Sequence, residues 1–121
     1  MGDIKNFTDL DIWKRSHELT LLVYRLVAQF PKDERYALSD QIRRATVSIE
    51  SNIAEGFSRY GKLEKRQFYS IARGSLTEVE CQLLIAKDLK FIMQDQFDSA
   101  QGLIIEISKM FVSILKRIQS W

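Results

Sequence analysis

The chain is poor in residues that interrupt helices, and this scarcity constrains its fold more than any other feature. Its 121 residues include only one proline and five glycines, and both residue types are the usual breakers of regular helices. We therefore expect long helices joined by few turns. The length suits one domain, and a hydrophobic fraction of 45% is enough for one sizeable core and argues against a disordered chain.

Apolar residues recur every three to four positions in four segments, and no segment alternates with the two-residue period of a strand. The predicted helices span about residues 10–30, 38–55, 62–92 and 97–119. All four belong to a single domain, 1–121, because no linker or repeat separates them. The predicted fold class is all-α, an antiparallel up-down-up-down four-helix bundle.

Capping and breaking residues set the expected helix ends. Asp9 or Asp11 is available to cap the first helix, and Pro31 cannot continue it. Gly56 stands where the C-terminus of a helix prefers glycine, so we expect the second helix to stop just before it.

Each helix has more apolar surface than one core stripe requires. One stripe is enough for a helix on the surface of a monomer, and large exposed apolar patches are unusual on monomers. We therefore predict a homo-oligomer, although wide or loosely packed bundle faces are an alternative. The residues expected at its interface are Trp13, Tyr24, Gly74, Cys81, Leu84, Leu103, Met110, Ile114 and Trp121.

Residues suited to catalysis or metal binding are scarce. The chain has one histidine, His17, and one cysteine, Cys81, which is too few for a zinc site of four Cys and His ligands. It also lacks the Glu-x-x-His pairs of bundle di-iron sites and a Gly-rich phosphate loop. We interpret His17 as an interface or boundary residue and Cys81 as a packing residue. The expectation is no enzyme activity, no metal and no cofactor.

The sequence also predicts where the protein acts. No run of uncharged residues approaches the roughly 20 that span a bilayer, and the N-terminus has no apolar signal core. A lone cysteine cannot form an internal disulfide, which fits a reducing compartment. We expect a cytoplasmic protein without a membrane partner.

A net charge of +2 conceals an uneven distribution. Basic residues outnumber acidic ones by 7 to 4 in residues 36–75 and by 3 to 0 in 107–121, whereas acidic residues lead by 6 to 2 in 76–106. Basic side chains that meet phosphates supply most non-specific affinity for nucleic acid, and aromatic rings stack on unpaired bases. Tyr60 and Tyr69 lie among the basic candidates, which are Arg43, Arg44, Arg59, Lys62, Arg66 and Arg73. The alternative is a solvated helical face with glutamates as partners.

Two strings of residues are distinctive: QIRRATVSIESNIAEG at 41–56 and FYSIARGSLTEVE at 68–80. Together with LDIWK at 10–14, they resemble the bacterial four helix bundle protein family, also called the S23 or 23S rRNA intervening-sequence protein family. The resemblance covers residues 8–118 and implies an antiparallel bundle assembled as a ring-shaped homopentamer. A related branch of retroelement accessory proteins implies binding to nucleic acid and to a reverse transcriptase.

The first string also defines a polar flank on the second helix, which consists of Gln41, Ser48, Asn52, Glu55 and Gly56. These residues either contact a partner or form an internal network, and we favour the network because buried polar groups need partners.

Two functions follow. The first is a non-enzymatic homo-oligomeric scaffold that binds RNA or DNA non-specifically through a basic face on helices 2 and 3. The second is a protein–protein interaction scaffold that docks partners on exposed aromatic and apolar faces of helices 1 and 4.

Overall fold

The computed structural model describes residues 3–120, and this part of the chain contains four α-helices and no strand. The helices are α1 (Asp11–Val27), α2 (Leu38–Ser58), α3 (Lys62–Asp88) and α4 (Gln94–Ser120), with short 3₁₀ helices at Phe7–Asp9 and Lys32–Glu34. The predicted all-α class with four helices is therefore confirmed.

The four helices surround one core. Each helix packs against its neighbours in sequence, and α1 also packs against α4. The largest side chains without solvent contact come from all four helices: Leu19, Ile42, Ile49, Ile53, Leu83, Ile107, Phe111 and Ile118. Burying a side chain of this size contributes about 1.5–3 kcal/mol. The 3.6-residue apolar stripes therefore hold the bundle together.

The ends of α1 differ from the prediction. Neither Asp9 nor Asp11 caps α1, whose N-cap is Leu10 without a side-chain hydrogen bond. Asp9 instead completes a capping box with Asn6 in the 3₁₀ helix, where its carboxylate accepts hydrogen bonds from the backbone N–H groups of Lys5 and Asn6, both at 3.0 Å. These two bonds lower the pKa of Asp9. At the other end, α1 stops at Val27 rather than at Phe30: the N–H groups of Gln29 and Phe30 donate to carbonyls three residues earlier, so the chain tightens into turns before Pro31. Phe30 nevertheless remains buried in the core.

Gly56 does not end α2, which continues to Ser58. A Cβ atom at Gly56 would lie 3.2 Å from two ring atoms of Tyr69 and 3.3 Å from Cβ of Phe68. Glycine is therefore needed here because α2 and α3 approach each other closely, and its expected role as a C-cap is wrong.

The third helix ends earlier than predicted. Its end could not be recognised in the sequence because the glycine that usually marks such an end is absent. α3 stops at Asp88, and Lys90 adopts a left-handed conformation with φ 65°. The backbone N–H of Phe91 donates to the carbonyl of Ala86, and that of Lys90 donates to the carbonyl of Lys87, both at distances below 3.0 Å. This pair of bonds is a Schellman motif, in which the left-handed residue is normally glycine.

Candidate nucleic-acid interface

Two of the predicted phosphate-binding residues lie in the first half of α2. Arg43 is half-buried and Arg44 is exposed. The guanidinium of Arg44 forms an ion pair with Asp40, with 3.3 Å between Nε and Oδ2. Both arginines line a shallow depression of about 370 Å³ with Tyr24. Because Asp40 is part of the same depression, this region carries less positive charge than the two arginines suggest.

Arg59 and Lys62 lie at the turn between α2 and α3, and both have contacts within the chain. Arg59 pairs with Glu55, with 3.0 Å between Nη2 and Oε2, and its guanidinium lies 4.8 Å above the ring of Phe68. The Nζ of Lys62 donates to the backbone carbonyl of Gln119 at 3.1 Å. The second contact places the start of α3 beside the end of α4.

Arg66 and Arg73 are exposed on α3. They are seven residues apart, which returns a helix to the same face after two turns. Along α2, by contrast, Arg43 and Arg59 are separated by about 24 Å at 1.5 Å per residue. The six predicted residues therefore do not form one compact patch. They extend from Arg43 and Arg44 on the first half of α2 to Arg59 and Lys62 at the α2–α3 turn, with Arg66 and Arg73 along α3.

Lys65 has a role that the sequence did not indicate. Its Nζ donates to the backbone carbonyls of Gly56 and Phe57, at 3.1 and 3.0 Å. These carbonyls belong to the last turn of α2, where acceptors lack partners within the helix. Burial lowers the pKa of Lys65. The amine therefore stabilises the end of α2 and is less available to phosphates than its place in the basic segment suggests.

The two tyrosines of the basic segment have opposite environments. Tyr69 is 4% exposed, and burial raises its pKa. The prediction that Tyr69 stacks on a base is therefore wrong, because its ring fills the space beneath Gly56. Tyr60 projects fully into solvent from the turn between α2 and α3.

Part of the polar flank on α2 forms an internal network. The hydroxyls of Ser48 and Ser75 are 2.9 Å apart and join α2 to α3. The amide of Asn52 donates to the backbone carbonyl and hydroxyl of Ser48, at 2.9 and 3.0 Å. Gln41 and Glu55 are exposed. The geometry thus favours the internal network for Ser48 and Asn52 over contact with a partner.

The residues predicted at an oligomer interface have unequal exposure. Trp13 is half-buried, with its ring 5.4 Å from that of Phe7 and stacked at 4.8 Å on His17. His17 in turn meets Glu50 of α2, with 3.1 Å between Nδ1 and the carboxylate. The exposed residues of the predicted set are Tyr24, Gly74, Cys81 and Leu84, and the half-buried ones besides Trp13 are Leu103, Met110 and Ile114. Trp121 lies outside the described residues.

The space around Gly74 is open. A Cβ atom at Gly74 would meet nothing within 4 Å, so no helix of the same chain packs closely there. A close approach of another helix at Gly74 therefore requires a second chain.

Within residues 3–120, no group of three or more His, Cys, Asp and Glu side chains is placed to hold a metal ion. Over the same residues, no helix has the length and apolar character needed to cross a membrane.

Comparison with known proteins adds to this geometry. The family model described as 23S rRNA-intervening sequence protein matches residues 8–113, a range that contains both distinctive strings. A crystal structure of a protein with unknown function from the S23 ribosomal protein family of Bacteroides thetaiotaomicron VPI-5482 is similar, with 24% sequence identity and a TM-score of 0.78. The alignment covers 87% of this chain and 98% of that one, and it shows a shared fold. No curated protein was found to match in sequence.

Proposed function

The chain belongs to the 23S rRNA-intervening sequence protein family, and from that premise we propose that it is a non-enzymatic homo-oligomeric scaffold that binds RNA or DNA without sequence preference. The observation that carries the proposal is the exposed position of Arg66 and Arg73 on one face of α3. Arginines at such a spacing can meet successive phosphates without reading bases.

Charge reversal at Arg66 and Arg73 tests the binding. The matched control is Arg25→Glu with Lys32→Glu, which changes the net charge equally at exposed positions on and after α1. The double variant Arg66→Glu, Arg73→Glu should bind a labelled RNA more weakly than the control. For a single-stranded RNA, its log–log slope of affinity against salt should be smaller in magnitude by about 1.4, since each lost phosphate contact removes about 0.7.

Equal affinities of the two double variants would contradict the proposed face. They would leave only the effect of net charge, which both variants share.

Self-assembly is supported by apolar side chains that the bundle leaves exposed. Leu84, Ile85, Leu89 and Met93, at the end of α3 and beyond it, are 40–67% exposed. We propose that a second chain covers this region. The family resemblance points to five chains in a ring.

We also propose that the four helices run antiparallel and that the protein acts in the cytoplasm. His17 meets Glu50, and three residues further along α1 Thr20 meets Thr46, so contacts move backwards along α2. This supports the antiparallel up-down-up-down arrangement. Cys81 is the single cysteine of the chain and can form no internal disulfide, which supports action in the reducing cytoplasm.

A second candidate function is docking of a protein partner, such as a reverse transcriptase, on α1 and α4. It is favoured by a groove of about 340 Å³ that is lined by the apolar residues Leu10, Ile12, Met110 and Ile114 and also by Asp9, Asp11 and Arg117. Met110→Glu tests it, because a carboxylate among the apolar side chains of the groove should abolish capture of such a partner while leaving RNA affinity unchanged.

A further inference from the structure

Two basic segments that are far apart in sequence meet at one end of the bundle. The hydrogen bond from Lys62 to the carbonyl of Gln119 joins the first turn of α3 to the last turn of α4. Residues 58–66 contain four basic side chains and one acidic one, and residues 116–120 contain two basic and none acidic. The two segments together carry +5, although the whole chain carries only +2.

Acidic side chains at this end lie both beside α1 and around the α2–α3 turn. Asp9 and Asp11 line the same groove as Arg117, so they offset that arginine rather than the α2–α3 turn. Around the turn itself, Glu55 is held by Arg59, and Glu64 is the one acidic residue between 58 and 66. With Glu55 and Glu64 both counted, residues 55–66 still carry a net charge of +2.

Tyr60 stands in the middle of this basic end. Its side chain is fully exposed, and that of Leu63, one helical turn further on, is 76% exposed. The turn that carries the ring is anchored, because Arg59 is bonded to Glu55 and lies over Phe68. An aromatic ring held in water on a fixed turn offers its faces to another flat ring at a small entropic cost.

We propose that this end of the bundle binds single-stranded nucleic acid, with an unpaired base stacked on Tyr60 and the neighbouring phosphates near Arg66 and the exposed Lys116 of α4. The inference rests on the proposed function and adds the strandedness of the ligand and the residue that recognises it. In a duplex, the faces of the bases are covered by their neighbours in the stack, so Tyr60 has no base to contact. Stacking on an aromatic side chain strengthens binding by about 5- to 150-fold per base.

Tyr36 provides a matched control for Tyr60. It is 84% exposed and lies beside Arg35, with 5.2 Å from the guanidinium carbon to the ring centre. It precedes α2, whereas Tyr60 follows it, so about 31 Å of helix separates the two rings. Tyr60→Ala and Tyr36→Ala each remove an exposed ring, so neither substitution alters the core.

The experiment compares fluorescence anisotropy of a labelled thymidine strand of about 12 nucleotides with that of a duplex of the same length, at low salt. Tyr60→Ala should weaken binding of the single strand by about 5- to 150-fold, and Tyr60→Phe and Tyr36→Ala should bind it like the wild type. Duplex affinity should be the same for all four proteins.

Several outcomes would overturn the inference. Single-strand affinity that Tyr60→Ala leaves unchanged, or a loss that Tyr36→Ala reproduces, would show that Tyr60 is not the stacking residue. An equal loss for the duplex would show that strandedness is not recognised. If the wild type binds neither ligand, the proposed function itself fails, which is distinct from binding that ignores Tyr60.

Discussion

Replacing Gly56 by alanine tests the close approach of α2 and α3 at the family string. The added Cβ would lie 3.2 Å from Cε1 and Cζ of Tyr69 and 3.3 Å from Cβ of Phe68, whereas carbon atoms at their best separation are about 3.5–4.0 Å apart. The Tyr69 ring is buried and Cβ of Phe68 is attached to the backbone, so relief requires a shift of α3. Overpacking of this kind costs about 1–3 kcal/mol.

Alanine also favours the helix over glycine by about 1 kcal/mol, so Gly56→Ala should lower the free energy of unfolding by a net 0–2 kcal/mol, on the order of the difference between these terms. Gly102→Ala on α4 is the control, because nothing lies within 4 Å of its added Cβ, and it should gain about 1 kcal/mol. Urea unfolding followed by far-UV circular dichroism measures both. If Gly56→Ala were stabilised as much as Gly102→Ala, the close approach would be refuted.

Two further changes test the local structure. Lys90→Gly should raise the free energy of unfolding by about 1 kcal/mol, because glycine relieves the left-handed strain at φ 65°; an unchanged urea midpoint would contradict this. Burial raises the pKa of Tyr69, so the stability that depends on its neutral phenol is fully present below about pH 10 and is lost as pH rises through the folded-state value. Tyr69→Phe should therefore lose less stability than the wild type above that pH, and urea midpoints that fall in parallel would rule out the buried phenol as the cause.

The helical fold could be predicted because it depends on local periodicity. Apolar residues at 3.6-residue spacing form the observed core, as the complete burial of Ile42, Ile49 and Ile53 on α2 illustrates. Helix ends were harder to predict because they depend on tertiary contacts. By sequence alone, Gly56 indicates the C-cap of a helix. The position of the Tyr69 ring shows instead that Gly56 lies where α2 and α3 approach each other closely. The end of α3 could not be predicted from Lys90, because lysine rarely adopts the left-handed conformation that it has here.

The basic residues were identifiable, but their partners were not. Charge counting cannot distinguish Lys65, which binds backbone carbonyls, from the exposed Arg66 beside it. Charge counting also treats the basic middle of the chain and the basic end of α4 as separate segments. The hydrogen bond from Lys62 to Gln119 brings the two together. Spacing along a sequence does not encode such contacts between helices, so the composition of the candidate site required the structure.

The central claim is that assembled chains bind nucleic acid, and sedimentation velocity of the protein with a labelled RNA tests both parts at once. At low salt the RNA should sediment with a species several times the mass of the 14.2 kDa chain, and this co-sedimentation should disappear as salt rises. RNA that sediments alone, or with a single 14.2 kDa chain, would contradict it.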